Sequence, residues 1–438
     1  MFESEVGIFL SAPLSLTRSS PVFAIAILAW SLLLSAIFFL AYATSKRKYK
    51  SLPRSPLSSL PRDAVPGVTL IRPLKGLDPN LYANLESGFT QDYANLELIL
   101  AVATPADPSI AIAEKLMAVY PHIPARILVG ETNMGVNPKV NNLIKAFHAA
   151  HHDILWIVDS NVQLTSGVCA RSVDALQRPS TRGKRVGLVH HIPIAVHPSL
   201  DMGAQVERVF VNTTHFKMYT ALNALAIDSC VMGKSNLYRR SDVERLHVPS
   251  PTSKSVQPPQ SGLEGFARYL AEDNMIARAL WHDLGLDHAL TDDVVATHLG
   301  DMSLMQYLDR RVRWIRVRKY MVWLATILEP LTESATLIPL FIASLKLLTG
   351  AKYLFLTLPL PLLAAWLAVD LAIINSYKYA SPLYISPIGT SLPQFIAFWC
   401  LRELLAFPIY LMGVFGSQVG WRSARYKMMA QGEALPIE

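Results

Sequence analysis

From residue 68 onward, short apolar runs alternate with segments whose apolar side chains recur at helical spacing. The runs have the length of buried strands, and the segments between them have the length of short helices. The predicted strands are 68–74, 96–103, 125–130 and 153–160, and the predicted helices are 80–91, 108–120 and 139–150. Strands that alternate with helices through short connections predict a mostly parallel sheet covered on both faces. Such sheets bind ligands at the carboxyl ends of their strands.

A different pattern precedes this region. Residues 21–43 carry no charge, and a helix of that length spans about 35 Å, more than the bilayer core of about 30 Å. A cleaved signal peptide would carry its basic residues before the apolar core, whereas the cluster KRKYK follows it at 46–50. The pattern therefore predicts a retained transmembrane anchor at 21–44 after a short lumenal N-terminus, 1–20. The basic cluster places the chain that follows in the cytosol.

Three further apolar stretches lie near 321–348, 353–375 and 393–415. The last contains Arg402 and Glu403, which are costly in a lipid-facing helix. Four complete spans would return the chain to the lumen, whereas the basic segment WRSARYK (421–427) favours the cytosol. We therefore expect one stretch to be re-entrant, and the internal charges make the third stretch the first candidate.

The remaining chain divides by composition. We predict a basic Pro/Ser-rich linker at 45–66, a cytosolic catalytic domain at 67–302 with a flexible insertion at 249–262, and an amphipathic interfacial helix at 303–320. A basic C-terminal tail would follow at 417–438. The chain has 438 residues, of which 51% are hydrophobic and 17% charged. This composition excludes an ordinary soluble enzyme and favours a globular domain joined to membrane segments.

The most concentrated charge lies at the edge of the membrane region. Six of the ten residues from Arg310 to Lys319 are basic. Nucleic acid, anionic lipid headgroups and a nucleotide diphosphate are the candidate partners. Nucleic acid is the weakest of these, because the net charge of +7 is concentrated beside membrane segments and no RNA-binding pattern is present. Three widely spaced cysteines form neither a disulfide framework nor a metal-ligand spacing.

Candidate catalytic side chains fall at the predicted strand ends and loops. Asp159 ends the fourth strand, where a carboxylate is suited to holding a divalent cation on a diphosphate, although DSN is also ordinary turn chemistry. Asp92 precedes the second strand. Glu272 and Asp273 begin a helix, a position that acidic residues also stabilise structurally. Lys139 and nearby amides in NPKVNNL could contact a ribose or phosphate, or could form only a loop and cap.

Together these stretches resemble a known family. PGVTLIRPLKGLDPNLYANLESGFTQDY, NPKVNNL, ILWIVDSN, LAEDNMIARAL and RRVRW occur in the order and approximate spacing of ceramide glucosyltransferases. These are family-21-type glycosyltransferases with the signature D, D, D, (Q/R)xxRW, and the resemblance runs from about Pro66 to Trp314. The insertion at 249–262 looks more like a fungal relative than the animal enzymes.

The resemblance implies a GT-A-type, Rossmann-like α/β domain that binds UDP-glucose. The nucleotide-sugar site would include Pro73, Lys75, Asp92, Lys139 and Asn141. Asp159 would reach the diphosphate through Mg²⁺ or Mn²⁺, although a single carboxylate in DSN leaves the metal requirement open.

The resemblance also assigns the transfer chemistry. Asp273 would be the general base, and Arg310 and Arg313 would answer the charge on the departing UDP. Trp314 would offer a flat surface to the sugar or acceptor. Three residues match family positions as candidates for the substrate site, with ordinary packing as the alternative. They are His215, Cys230 and Glu272.

The function implied is inverting transfer of glucose to the primary hydroxyl of ceramide at the cytosolic membrane face, in the Golgi or endoplasmic reticulum. The basic helix would also meet anionic lipid headgroups, and no nucleic-acid partner is expected. The alternatives are another UDP-sugar or lipid acceptor (a sterol, dolichyl phosphate or diacylglycerol) and a non-enzymatic membrane-tethered binding protein. The sequence makes no prediction of oligomeric state.

Overall fold

The computed structural model describes residues 21–196, 199–248, 260–380, 391–421 and 424–437. The predicted N-terminus 1–20 lies outside these residues, as does the predicted insertion up to residue 259.

The described chain contains thirteen strands in three sheets. In chain order they are β1 (Val68–Leu74), β2 (Leu96–Val102), β3 (Ala125–Val129), β4 (Ile154–Val158), β5 (Val162–Gln163), β6 (Val186–Val196), β7 (Ser235–Arg239), β8 (His247–Val248), β9 (Gln260–Ser261), β10 (Asp287–His298), β11 (Gln418–Trp421), β12 (Ala424–Met428) and β13 (Ala434–Ile437). The main sheet has eight strands in the order β3-β2-β1-β4-β7-β6-β10-β5. Strands β7 and β5 run antiparallel to their neighbours, and the other pairs are parallel. The prediction of a mostly parallel α/β sheet is confirmed.

Fifteen α-helices accompany these strands in the described residues. They are α1 (Pro21–Lys48), α2 (Leu81–Phe89), α3 (Ser109–Val119), α4 (Pro138–Ala149), α5 (Val168–Gln177), α6 (Met202–Phe210), α7 (Phe216–Leu225), α8 (Arg240–Glu244), α9 (Glu272–His282), α10 (Leu304–Arg318), α11 (Trp323–Leu328), α12 (Ser334–Thr349), α13 (Leu354–Thr357), α14 (Pro359–Tyr377) and α15 (Leu392–Val414). Helices α2, α3 and α5 pack on one face of the sheet, and α4 and α9 pack on the other. Both faces of the central strands are therefore buried, which explains why their sequences are mostly apolar and do not alternate between apolar and polar residues.

In the part of the chain that the structure describes, three helices are long and apolar enough to cross a membrane: α1, α14 and α15. A fourth crossing would need the segment Trp323–Thr332 and α12, which meet at a bend of 69°. The break therefore lies in the first C-terminal stretch and not in the third, where we expected it. Helix α15 stays continuous because Arg402 and Glu403 are buried against protein, with Arg402 Nη2 2.8 Å from Glu333 Oε1 and Glu403 accepting a hydrogen bond from Ser334.

The catalytic domain is joined to the apolar helices by a buried ion pair. Lys217 of α7 lies 2.6 Å from Asp370 of α14, and the indole of Trp399 donates to the other oxygen of the same carboxylate. The Lys217 ammonium also lies 4.0 Å from the centre of the Phe38 ring of α1. Between α6 and α7 the chain makes a π-helical turn, Val211–His215, a feature that is frequent at functional sites.

Helix α10 carries the basic run and begins with a capping box formed by Ser303 and Gln306. The Arg316 guanidinium donates to the Met412 carbonyl at 2.9 Å, and the Lys319 ammonium donates to the Val414 carbonyl at 2.8 Å. These carbonyls belong to the last turn of α15. Carbonyls in the last turn of a helix have no intrahelical hydrogen-bond donors, and the negative end of the helix dipole attracts cations. Part of the basic run therefore stabilises the end of α15.

The described part of residues 417–438 forms a three-stranded antiparallel sheet, β11-β12-β13. The sequence analysis described these residues only as a basic tail and predicted no strands there. The sheet buries Val419, Tyr426 and Met428 against Val317 of α10.

Candidate active site

A cleft of about 830 Å³ opens at the carboxyl ends of β1 and β4. Its walls come from the loop after β1, the start of α4, the segment after β4 and the residue before β7. The lining residues are Pro73, Leu74, Lys75, Asp78, Ala103, Glu131, Pro138, Lys139, Asn142, Asp159, Ser160, Asn161, Lys234 and Trp421. This is the sheet edge at which parallel α/β domains bind their ligands.

Two lysines hold the carboxylate that ends β4. The Lys139 ammonium lies 2.9 Å from Asp159 Oδ1, and the Lys234 ammonium lies 2.9 Å from Asp159 Oδ2. Burial alone would raise the pKa of Asp159, but the two ammonium groups, Lys139 foremost, hold it well below its usual range. Asp159 is therefore ionised at neutral pH, and the cleft contains two cations placed to meet an anionic ligand.

The first turn of α4 positions Lys139. Asn137 caps the helix, since its Oδ1 accepts hydrogen bonds from the backbone amides of Lys139 at 2.9 Å and Val140 at 3.3 Å. Pro138 occupies the first helical position, where its missing amide is not needed. The same Asn137 donates from Nδ2 to Glu272 Oε2 at 2.7 Å, and Glu272 Oε1 lies 3.1 Å from the Lys139 ammonium. The starts of α4 and α9 are thereby locked together.

Asp273 lies beside Glu272 at the start of α9. Gly233 packs so closely against it that a Cβ on Gly233 would lie 2.5 Å from Asp273 Oδ2. Burial, and next the negative charge of Glu272, raise the pKa of Asp273 to about 6. A carboxylate with this pKa can accept a proton near neutral pH.

The structure brings together some of the predicted nucleotide residues. Pro73, Lys75, Lys139 and Asp159 line the cleft, with Glu272 and Asp273 adjoining it through Lys139. Asn141 does not line it. Its side chain accepts from the Met134 amide and donates to the Gly135 carbonyl, so that it supports the preceding loop. The neighbouring Asn142 lines the cleft instead.

Asp92 is not part of this cluster. It precedes β2, whose seven residues span about 20 Å, and so lies at the opposite end of the sheet from the cleft. Its carboxylate accepts from Arg54 at 3.2 Å, and its amide donates to the Ser166 carbonyl at 2.7 Å. The expected contact between Asp92 and the nucleotide has no support in this geometry, because the residue follows a helix and starts a strand at the non-ligand edge.

The predicted residues of α10 form a second group. Arg310 donates from Nε to Glu207 Oε1 at 2.9 Å, and its guanidinium lies 5.2 Å from the centre of the Trp314 ring. Arg310 is thus paired with a buried protein carboxylate. Arg313 lies nearer the small sheet, 3.4 Å from the Gly420 carbonyl, and burial lowers its pKa to about 10.

His215 and Cys230 lie between the two groups. The His215 ring stacks on Tyr219 at 5.4 Å between centres and meets the Trp314 ring at 6.5 Å. Burial and then the nearby Arg311 lower the pKa of His215 to about 3, so the imidazole is neutral. Burial raises the pKa of the Cys230 thiol to about 12, which leaves it unreactive.

A smaller recess of about 370 Å³, counting the open space at its mouth, lies where α10, the bent segment and α15 meet, and its interior has room for about one water molecule. Its charged lining residues are Arg311, Arg402, Glu329 and Glu333, two cations and two anions. The Arg311 guanidinium stacks 3.4 Å from the centre of the Phe210 ring, and its Nη1 is buried without a hydrogen-bond partner in the described chain. The recess therefore combines apolar walls with a spare donor.

Several lining residues of the cleft were not identified from sequence. They are Asp78, Glu131, Asn142, Ser160, Asn161, Lys234 and Trp421. Asp78 follows β1 as Asp159 follows β4, and it accepts a hydrogen bond from Ser160. The reasoning applied to Asp159 would have found it. Lys234 and Trp421 had no comparable signal, since neither follows a strand that could be predicted from sequence.

A divalent cation fits the residues of the cleft. No group of three or more His, Cys, Asp or Glu side chains is arranged to hold a metal in the described ranges. Mg²⁺, however, is often bound by one or two carboxylates together with substrate phosphates. Asp159 and Asp78 follow neighbouring strands. The cation would take the place of one of the two lysines beside Asp159, and a diphosphate would supply further oxygens.

The cleft, the ordered motifs and the apolar helices agree with comparisons to known proteins. The profile of Glycosyl transferase family 21 matches residues 28–434. The chain belongs to this family. It is a glycosyltransferase with a mostly parallel α/β domain, an N-terminal apolar helix and a helical C-terminal region, as the sequence predicted.

Relatives of this family 21 glycosyltransferase include fungal enzymes. A ceramide glucosyltransferase of Komagataella phaffii is 36% identical, with 92% of this chain and 90% of the relative aligned. A ceramide glucosyltransferase of Pyricularia oryzae is 30% identical, with 93% and 94% aligned. A mannosyltransferase of Pyrobaculum calidifontis, solved with GDP-mannose and Mn²⁺, aligns with 90% of this chain and 99% of its own at a TM-score of 0.48 and 16% identity. That likeness is too low to support an argument about this chain.

Proposed function

We propose that this glycosyltransferase transfers glucose from UDP-glucose to the primary hydroxyl of ceramide, with inversion at the anomeric carbon. The observation that carries the proposal is the position of Asp273, a carboxylate of raised pKa beside the two-lysine cleft, in a domain joined to apolar helices. The names of the curated relatives support ceramide as the acceptor and glucose as the sugar.

The cleft would bind the donor through its diphosphate. Lys139 and Lys234 supply two ammonium groups within reach of one bound anion, and Lys75 adds a third positive charge to the lining. Uridine would lie towards Pro73 and Lys75 at the end of β1. Asp159, with Asp78, would hold Mg²⁺ or Mn²⁺, which when bound supplies further positive charge to the diphosphate.

Asp273 would act as general base in a single displacement. The ceramide oxygen forms a bond to the anomeric carbon as its proton passes to the Asp273 carboxylate. The bond from that carbon to the UDP oxygen breaks, and the electron pair leaves with UDP. The two lysines stabilise the charge that develops on the diphosphate. No covalent enzyme intermediate is needed.

The acceptor would approach from the membrane side. A lipid with two acyl-type chains does not leave the bilayer readily, because each buried methylene contributes about 0.8 kcal/mol. The recess beside α15 is neutral in its charged lining residues and has a spare guanidinium N–H at Arg311. Only the edge of a headgroup could enter this recess, and a neutral hydrogen-bond acceptor would suit that position better than a phosphate. The His215 ring contacts the rings of Tyr219 and Trp314, and these side chains would lie along the path of the acceptor towards Asp273.

The active site would face the cytosol, in the Golgi or the endoplasmic reticulum, because the basic cluster KRKYK follows α1. Another UDP-sugar, or another neutral lipid such as a sterol or diacylglycerol, is the second candidate. The neutral lining of the membrane-side recess favours these lipids over dolichyl phosphate.

The test is transfer by the purified full chain in nanodiscs. UDP-glucose and UDP-galactose are each offered with ceramide, a sterol and diacylglycerol. We expect the wild type to form glucosylceramide and Asp273→Asn to form none. We expect the two proteins to bind UDP with the same affinity. Transfer to a different lipid would overturn the acceptor assignment. Full activity of Asp273→Asn would overturn the assignment of the base.

A further inference from the structure

Trp421 is the only aromatic side chain among the described residues that line the donor cleft. It comes from β11, which follows the last apolar helix in the chain. The rest of the lining belongs to the main sheet and its connections. A residue that reaches this cleft from so distant a part of the chain must be held there by the small sheet.

One side of the small sheet is fixed to α10. The Arg313 guanidinium lies 3.4 Å from the Gly420 carbonyl, and Arg316 donates to the Gln418 carbonyl at 2.7 Å. Lys319 donates to the Gly416 carbonyl. Three cations of α10 thus hold the backbone of β11 and of the residues just before it, up to the residue that precedes Trp421.

The other side is fixed to the loops that carry the catalytic groups. The backbone of Glu433 pairs with Tyr269 just before α9, and its carboxylate lies 3.7 Å from Arg268. The Tyr426 hydroxyl donates to the Val136 carbonyl at 3.5 Å, next to the cap of α4. The small sheet therefore spans the mouth of the cleft from α10 to the starts of α4 and α9.

The position of Trp421 along the cleft follows from its neighbours. It packs in one apolar cluster with Val136, Leu270 and Ala271, and Ala271 directly precedes Glu272 and Asp273. Under the proposed function the diphosphate lies at Lys139 and Lys234. The hexose must then lie between those lysines and Asp273, the part of the cleft that Trp421 adjoins.

We propose that Trp421 contacts the hexose of the donor, its indole covering an apolar C–H face of the sugar ring. This inference rests on the proposed function and extends it to a residue outside the D, D, D, (Q/R)xxRW signature. The family resemblance implies that Trp314 offers a flat surface to the sugar or the acceptor. In the structure, Trp314 contacts His215 and two arginines of its own helix. The two tryptophans would therefore serve different substrates.

The experiment compares binding of UDP-glucose and of UDP alone to the full chain in detergent. Wild type, Trp421→Leu, Trp421→Phe and the control Trp323→Leu are measured by calorimetry. Trp323 is an exposed residue of α11. We expect Trp421→Leu to weaken UDP-glucose binding about tenfold, equivalent to about 1.4 kcal/mol, and to leave UDP binding unchanged. Trp421→Phe should recover most of the loss, and the control should bind as wild type.

Three other results would overturn the inference. Equal weakening of UDP and UDP-glucose would place the indole on the uridine. Unchanged binding of both would remove Trp421 from the donor altogether. If Trp421→Leu unfolds, Trp421→Phe still tests the contact. In that variant we expect UDP-glucose to quench the tryptophan fluorescence less than in the wild type. Quenching equal to that of the wild type would contradict the contact. Absence of UDP-glucose binding by the wild type would instead be a failure of the proposed function.

Discussion

Lys217 and Asp370 form an ion pair of 2.6 Å in which neither side chain is more than 1% exposed. The lysine belongs to the catalytic domain and the aspartate to an apolar helix. Breaking a buried pair by removing one partner leaves a charge without compensation, which costs about 3–5 kcal/mol.

We therefore expect Lys217→Met to lower the thermal unfolding midpoint in detergent strongly. The double variant Lys217→Met/Asp370→Asn should recover much of the loss, because no isolated charge remains and the amide oxygen still accepts from Trp399. Arg178→Ala is the matched control, since Arg178 is 70% exposed and 3.8 Å from Asp174. Equal loss in the single and double variants would contradict this account.

Gly233→Ala should abolish transfer while leaving the protein folded. The added methyl group would lie 2.5 Å from Asp273 Oδ2 and 2.8 Å from its Cβ, so the carboxylate has to move from the cleft. A shift of about 1 Å at a reacting group can reduce the rate about a hundredfold. Gly88→Ala is the control, because its added methyl group would meet only the flexible side-chain ends of Leu70 and Leu98. Normal kcat in Gly233→Ala would show that Asp273 has room to adjust.

The pH profile of kcat/KM should fall on the acid side near pH 6. Asp273 accepts a proton only when ionised, and its pKa is about 6 because of burial and the charge of Glu272. Activity should therefore fall about tenfold for each pH unit below that value. In Glu272→Gln the repulsion is removed, so the acid limb should shift to lower pH. Lys139 and Asp159 also face Asp273, where Lys139 lowers its pKa and Asp159 raises it. An unshifted limb in Glu272→Gln would leave burial as the main cause of the raised pKa.

Asp273→Asn should be inactive but more stable than the wild type at neutral pH. The folded-state pKa of Asp273 is raised above its ordinary value of 3.8, so ionisation opposes folding once the pH exceeds that value. Below it the carboxyl is neutral in both states and the difference vanishes. The gain at pH 7.5 should be on the order of 1–2 kcal/mol, a few degrees in the unfolding midpoint. A gain that persists at pH 3.5 would contradict the electrostatic explanation.

Lys234→Ala should weaken UDP-glucose binding and increase the dependence on Mg²⁺. Its ammonium lies 2.9 Å from Asp159 and 3.0 Å from Asn161, so removing it leaves Asp159 with one cation and the diphosphate with less positive charge. We expect KM for UDP-glucose to rise about tenfold or more at low Mg²⁺ and to recover partly at high Mg²⁺. Lys145→Ala on the exposed face of α4 is the control. If high Mg²⁺ does not lower the raised KM of Lys234→Ala, Lys234 has only a structural role.

The part of the fold that was predictable from sequence is the part governed by local pattern. Strands β1 to β4 are mostly apolar runs, because both faces of the sheet are covered, and their bounds match the predicted runs within two residues. Asp159 was identified by the rule that places ligands at strand ends. Asp92 was assigned through the family resemblance and not by this rule, and it lies before β2, at the other end of that strand.

Long-range pairing was not predictable in the same way. From sequence, the signature residue Arg310 looks like an unpaired positive charge. In the structure it pairs with Glu207, which is 103 positions away in the chain. From sequence, the charges of Arg402 and Glu403 argue against a continuous membrane helix α15. The structure pairs them with Glu333 and Ser334, which sequence could not show. Strand β11 has only four residues, too few for a period to be recognised.

The small sheet also has a consequence for biosynthesis. Residues 418–437 are translated after all the apolar helices, yet Trp421 forms a wall of the cleft whose other residues are made by residue 234. A nascent chain still engaged in membrane insertion therefore lacks a closed donor cleft. Premature release from the ribosome anywhere before β11 would yield a membrane-inserted product without that wall, so the order of synthesis delays donor binding until the apolar helices have been made.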